Sequence, residues 1–176
     1  MIEHKILFTG TTGAGKTTAI ACVSEIPPLT TDEHNHDESL AKTLTTVGLD
    51  YGELTLENGH KLRLYGTPGQ SRFDFMWQIL SRGALGLIIL IDNSRAAAME
   101  DLDVYIKGFA ALIADTACVV AIGRMDMHPV PDVDSFSERL AQHGVLCPGV
   151  PTDVRDPEAV SMLLDLLLTQ LEIKAS

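Results

Sequence analysis

Short runs of consecutive apolar residues alternate along this chain with stretches in which apolar residues recur every three or four positions. Lys5–Thr9, Gly86–Ile91 and Cys118–Ile122 read as strands, the last two continuous enough to be buried on both faces. Val47–Leu56 and Lys61–Tyr65 alternate instead, and the Asn58-Gly59 pair between them is a hairpin signal. Helical spacing is clearest in Leu102, Tyr105, Ile106, Phe109, Leu112 and Ile113. It returns in Val160, Leu163, Leu164, Leu167, Leu168 and Leu171. Thr17–Ser24 predicts a helix that Pro27-Pro28 prevents from continuing, and Ser135–His143 a weaker one. Strands alternating with helices imply an α/β fold, a mainly parallel six-stranded sheet flanked by about five helices. No repeat or linker divides the pattern, so one domain over residues 1–176 is expected.

Residues 27–45 break the alternation with a long polar loop carrying Asp32, Glu33, His34, His36, Asp37 and Glu38. Loops of that length inside a domain are usually functional or mobile. Histidines two apart on a loop are poor evidence for a metal site, and a solvated, movable segment is the better reading.

Composition narrows the classes. The chain has 176 residues, 45% of them apolar and 21% charged, which is a globular balance. A net charge of −11 is the wrong sign for gripping nucleic acid or an anionic membrane surface. It still permits one phosphate ligand held locally by backbone N–H groups. Cys22, Cys118 and Cys147 form no C-x-x-C pair, so neither a disulfide framework nor a zinc site is implied. Each reads as a small apolar residue in a reducing cytoplasm. The longest apolar run, Leu85–Ile91, is too short for a membrane span. No signal peptide or lipidation motif is evident, so a cytoplasmic protein without a membrane anchor is expected.

The chemistry is concentrated in Gly10-Thr11-Thr12-Gly13-Ala14-Gly15-Lys16-Thr17, which completes the pattern G-x-x-x-x-G-K-S/T between an apolar strand and a helix. Its glycines let backbone N–H groups converge on phosphate oxygens. Phosphate contacts are expected from Gly10, Thr12, Gly13, Ala14, Gly15, Lys16, Thr17 and Thr18. Lys16 reaches the β- and γ-phosphates, and the Thr17 hydroxyl is a ligand for Mg²⁺. A P-loop NTPase fold and a nucleoside triphosphate follow; the base and the reaction do not.

Downstream, Thr46-Val47-Gly48-Leu49-Asp50-Tyr51 opens the second strand and Tyr65-Gly66-Thr67-Pro68-Gly69-Gln70-Ser71-Arg72-Phe73 follows the third. With these motifs the chain resembles the Ras-like small GTPases over essentially its whole length. It looks closest to a prokaryotic branch related to the bacterial gliding-motility (MglA-like) GTPases. The resemblance implies that Thr46 meets Mg²⁺ and the γ-phosphate, that the Gly69 N–H also meets the γ-phosphate, and that Gln70, with Lys16, is catalytic by orienting the attacking water. Loss of the γ-phosphate would release both loops. It also implies GTP and GDP as ligands and a regulatory protein partner of roadblock type.

Two departures qualify this. The family's second-switch aspartate is Gly66 here, and Asp92, at the end of the run Leu87–Ile91, is the nearest substitute by strand order. Asp92 reads equally as a cap on the turn after its strand. Where the family has Asn-Lys-x-Asp, this chain has Gly123-Arg124-Met125-Asp126. Asp126 keeps a carboxylate able to accept two hydrogen bonds from guanine, and Arg124 can stack on the ring in place of lysine. The missing asparagine removes one polar contact and a brace to the phosphate loop. Asp153 and Val154, in Pro151-Thr152-Asp153-Val154-Arg155, stand at the last base-contact loop. No cis arginine is assured among Arg63, Arg72 and Arg82, so unaided turnover should be slow.

The stretch Phe73, Phe75, Met76, Trp77, Ile79 and Leu80 reads as core or as a partner surface. An ATP-specific hydrolase, a kinase and a binding module without turnover remain as alternative functions.

Overall fold

The computed structural model describes residues 1–30, 49–69 and 74–176. Its sheet contains β1 (Glu3–Gly10), β2 (Leu29–Thr30), β3 (Asp50–Thr55), β4 (Lys61–Gly66), β5 (Ala84–Asp92), β6 (Ala117–Gly123) and β7 (Gly149–Pro151), in the order β2-β3-β4-β1-β5-β6-β7. β4, β1, β5, β6 and β7 run parallel, while β3 is antiparallel to both β2 and β4. The architecture is the mainly parallel α/β sheet of a P-loop NTPase. The strand count exceeds the expected six by the edge strand β2, whose two residues are too few to show a period.

Among the described residues there are six helices: α1 (Lys16–Val23), α2 (Asp74–Ser81), α3 (Ala98–Gly108), α4 (Ala110–Asp115), α5 (Val133–Gln142) and α6 (Pro157–Ala175). None is long and apolar enough to cross a membrane.

Strand periodicity distributes the core between two layers. Leu7, Leu87, Ile89, Ile91, Cys118, Val120 and Ile122 face the layer closed by α2 to α5, with Trp77, Leu102, Tyr105 and Phe136 inside it. The intervening Ile6, Phe8, Ile88, Leu90, Val119 and Ala121 face α1 and α6, against Ile20, Val160, Leu163 and Leu167. Burial on both faces is why β5 and β6 read as unbroken apolar runs.

The hairpin at Asn58-Gly59 forms as its sequence signals. Gly59, at φ 82, donates its N–H to the Leu56 carbonyl at 2.9 Å. The single helix read through Leu102–Ile113 is interrupted at Phe109, although Ile113 N–H still reaches the Phe109 carbonyl at 2.9 Å. The break is closely packed. The Trp77 ring stacks on Phe109 at 5.1 Å and lies so close to Gly108 that a Cβ there would meet it at 2.6 Å. Cys118 is buried, Cys22 and Cys147 are half-buried, and all three are free thiols.

Candidate functional site

β1 ends at Gly10 between β4 and β5, where the strand order turns back on itself. Ligands of open α/β sheets bind beyond the carboxyl ends of strands at such a reversal. A cleft of about 920 Å³ opens there, walled by the phosphate loop, the strap 67–69 and the loops after β6 and β7.

On the wall of the cleft the N-cap of α1 is Gly15, whose φ of 104 no other residue adopts cheaply, with no side-chain cap and no acid in the first turn. Its first N–H groups and dipole are therefore left to a ligand anion rather than to a capping side chain. Lys16 is buried, and its Nζ donates to the carbonyls of Gly10 at 2.6 Å and Thr11 at 2.9 Å. Burial lowers its pKa to about 8, against an opposing pull from Asp50.

Asp50 is the residue that sequence reasoning missed. It stands first in β3, is only 6% exposed, and accepts a 2.8 Å hydrogen bond from the Thr17 hydroxyl on its Oδ2. Its cross-strand partner is Gly66. The available signal was pairing: two strands joined by a short hairpin put the start of one beside the end of the other. Asp92, the candidate for the missing carboxylate, is bonded elsewhere. Its Oδ1 accepts from the Ser94 N–H at 3.0 Å and hydroxyl at 2.5 Å, and its Oδ2 is ion-paired with Arg124. It caps the turn after β5.

The strap is tied down at three points. Thr67 donates its N–H to the Phe8 carbonyl at 2.9 Å and its hydroxyl to Thr9 at 2.6 Å. Trp77 Nε1 donates to the Pro68 carbonyl at 3.1 Å, and the Tyr105 hydroxyl to the Gly69 carbonyl at 3.0 Å. Gly69 thereby lies against the phosphate loop, where a Cβ would come within 2.5 Å of the Thr12 nitrogen. Thr46 and Gln70 lie outside the described residues, as do His34, His36, Arg72 and Phe73. Met76, Trp77 and Leu80 of α2 are core, whereas Phe75 and Ile79 are exposed.

In the loop after β6 Arg124 holds φ 61 and donates from its guanidinium to the Gly13 carbonyl at 3.2 Å, besides its ion pair with Asp92. It braces the loop after β6 against the phosphate loop, a contact expected to be lost with the family's asparagine. Val154 packs over Gly15, where a Cβ would meet its Cγ2 at 2.7 Å. Asp126 is exposed on the cleft wall. The Asp153 carboxylate is held by two 2.9 Å hydrogen bonds from Arg155, which lower its pKa to about 2. Arg63 is likewise engaged, ion-paired with Glu3 at 2.6 Å.

The family described as "Conserved hypothetical ATP binding protein" matches residues 29–173, so the phosphate loop lies just ahead of the matched segment. The chain is similar to an uncharacterized protein of Methanocaldococcus jannaschii, 31% identical over 102 residues that cover 58% of this chain and 59% of that protein. It is similar to the Ras-related protein Rab-8A of Gallus gallus, 29% identical over 106 residues, 58% of this chain and 46% of that protein. The chain thus spans about half the length of these relatives. Against the Ras-related protein RabC of Dictyostelium discoideum the match is 22% over 177 residues, 97% of this chain and 85% of that protein.

Proposed function

The chain belongs to the family of conserved hypothetical ATP binding proteins, and from that premise we propose that it is a GTP-binding molecular switch that hydrolyses GTP to GDP and phosphate slowly. One observation carries the reading. Buried Lys16, the uncapped start of α1 and the pinned Gly69 line one 920 Å³ cleft together with Arg124 and Asp126.

In this reading the Lys16 ammonium exchanges its carbonyl partners for phosphate oxygens, and the N–H groups of residues 13–18 wrap the phosphates. Gly69 presents its N–H to the γ-phosphate, Thr46 closes from the first switch and Gln70 orients water. Guanine is favoured because the Asp126 carboxylate matches its N1 and N2 donors. Backbone N–H groups near Asp153 and Val154 serve the guanine oxygen. A relative in Schizosaccharomyces pombe is named "GTP-binding protein ypt2". The description of the family as ATP binding keeps ATP as the second reading.

The donors near Thr17 suit a hard divalent cation: a hydroxyl and a carboxylate, both oxygen, 2.8 Å apart. Thr17 and Thr46 would hold Mg²⁺, which when bound neutralises charge on the β- and γ-phosphates. The exposed Phe75 and Ile79 of α2 would offer a surface to a regulatory protein partner; its roadblock type follows the prokaryotic MglA-like resemblance, and the setting proposed is the cytoplasm, with residues 1–176 as a single domain.

Single-turnover assays with γ-³²P-labelled GTP and ATP test the proposal. Label should appear as inorganic phosphate, faster from GTP. Transfer to a small metabolite would make the chain a kinase, and bound but intact triphosphate would make it a binding module without turnover.

A further inference from the structure

We propose that Asp50 supplies from β3 the carboxylate that Ras-like proteins carry at the position of Gly66, positioning Thr17 and the water shell of a divalent cation bound with the triphosphate. The inference rests on the magnesium–nucleotide reading above and concerns how this chain satisfies it with an altered motif.

Three observations support the exchange. Asp50 and Gly66 are direct partners in the β3–β4 ladder, so a carboxylate moved from one to the other stays in the same neighbourhood. Its Oδ2 already accepts the Thr17 hydroxyl proton at 2.8 Å, which leaves the lone pairs of that hydroxyl for a cation. Finally, the space is filled. A Cβ added to Gly66 would lie 3.0 Å from the Cβ and 3.0 Å from the Oδ2 of Asp50. Acids at both positions would set two carboxylates in one buried spot, where like charges directly opposite destabilise a sheet. One acid fits here better than two, and glycine at 66 leaves the space to Asp50.

Burial makes a structural role alone an expensive explanation. A carboxylate 6% exposed must be compensated, and it lies near Lys16, whose ammonium it favours. Asp50 thus ties the lysine that meets phosphate to the threonine that would meet the cation. Asp92 is less suited to this task, because its oxygens are engaged by Ser94 and Arg124.

Release of a fluorescent GTP analogue, timed in Mg²⁺ and again in EDTA, tests the proposal through the ratio of the two rates. Wild type should release much faster in EDTA. Asp50→Asn keeps the shape and the acceptor for Thr17 but loses the charge, and should shrink that ratio by about 10–100-fold, as losses of outer-shell partners do. The reciprocal pair Asp50→Gly with Gly66→Asp returns the acid to β4 and should recover most of it, whereas Gly66→Asp alone should not bind normally. An Asp50→Asn protein with the wild-type ratio overturns the inference. So does a reciprocal pair that folds by circular dichroism yet performs no better than Asp50→Asn; should the pair not fold, Asp50→Asn decides. A wild-type ratio of one overturns the magnesium reading itself, and the inference with it.

Discussion

The hydroxyl of Tyr105 donates to the carbonyl of Gly69 at 3.0 Å, joining the buried face of α3 to the strap that presses on the phosphate loop. Trp77 makes the parallel bond to Pro68 and packs its ring 5.1 Å from that of Tyr105. Both donors therefore have their bodies in the core and their polar tips on the strap. Moving residues 67–69 away from the phosphates must break these bonds or drag α2 and α3 along. If the chain is the switch proposed above, that is a physical route from nucleotide state to the exposed Phe75 and Ile79, of the order–disorder kind used by switch proteins.

Tyr105→Phe isolates this tie, since the ring stays and only the hydroxyl goes. Unfolding free energy in urea should fall by about 1 kcal/mol, the usual net value of one such bond. Nucleotide release should quicken as the strap loosens. Trp77→Ala should instead cost about 3–5 kcal/mol, as an emptied aromatic core site does. If Tyr105→Phe lowers stability with no change in release rate, the bond is packing and not coupling.

Lys16 makes a prediction about pH. Its pKa falls from an ordinary 10.5 to about 8 in the ligand-free fold, so between those values the unfolded chain binds the extra proton. Stability then rises with pH across that window. The gain is complete above about 10.5, is lost as pH falls through about 8, and amounts to about 3 kcal/mol. Paired denaturation curves at about pH 7.5 and 10.5 should show it in wild type and not in Lys16→Met. The variant should be no less stable than wild type near neutrality, yet fail to retain triphosphate. A Lys16→Met protein that binds triphosphate normally removes the foundation of the functional reading.

How much of this was legible beforehand depended on the range of the interaction. The phosphate loop is a local pattern, and the central strands announce themselves because burial on both faces demands unbroken apolar runs. The interruption at Phe109 was hidden, since the apolar spacing runs through it unbroken and the tryptophan packed beside it on Gly108 comes far earlier in the chain. Asp50 was hidden because its neighbours come from elsewhere in the chain: Gly66 across the ladder and the Thr17 hydroxyl. Asp92 looked like the better acid because it ends a strand, but Ser94 and Arg124 use its oxygens.

Arg124 is held at φ 61, where a side chain is strained, to reach Gly13 and Asp92. Arg124→Gly should relieve the backbone and leave ligand-free stability unchanged or slightly higher, because glycine accepts that conformation freely. Nucleotide affinity should nonetheless fall, since the brace between the base loop and the phosphate loop is gone. Calorimetric titration alongside thermal unfolding separates the two effects. A fall in melting temperature as large as the fall in affinity would mean that the arginine serves the fold rather than the ligand.

In the proposed reading Asp126 decides the base. Its carboxylate stands on the cleft wall on the same loop as Arg124, and guanine offers two adjacent N–H donors where adenine offers none in that arrangement. Hydrogen bonds to a charged acceptor contribute about 1.5–3 kcal/mol each. Asp126→Ala should therefore weaken GTP by at least about tenfold while leaving ATP unchanged or slightly tighter. Asp126→Asn should weaken GTP too, because an amide presents only one acceptor to the pair. Competition titrations of both nucleotides against one fluorescent analogue measure both arms in a single series. Loss of ATP affinity with GTP spared would reverse the assignment in favour of adenine. Equal affinities before and after would remove Asp126 from base reading altogether, leaving Arg124 and the backbone near Val154 to hold either purine without choosing between them.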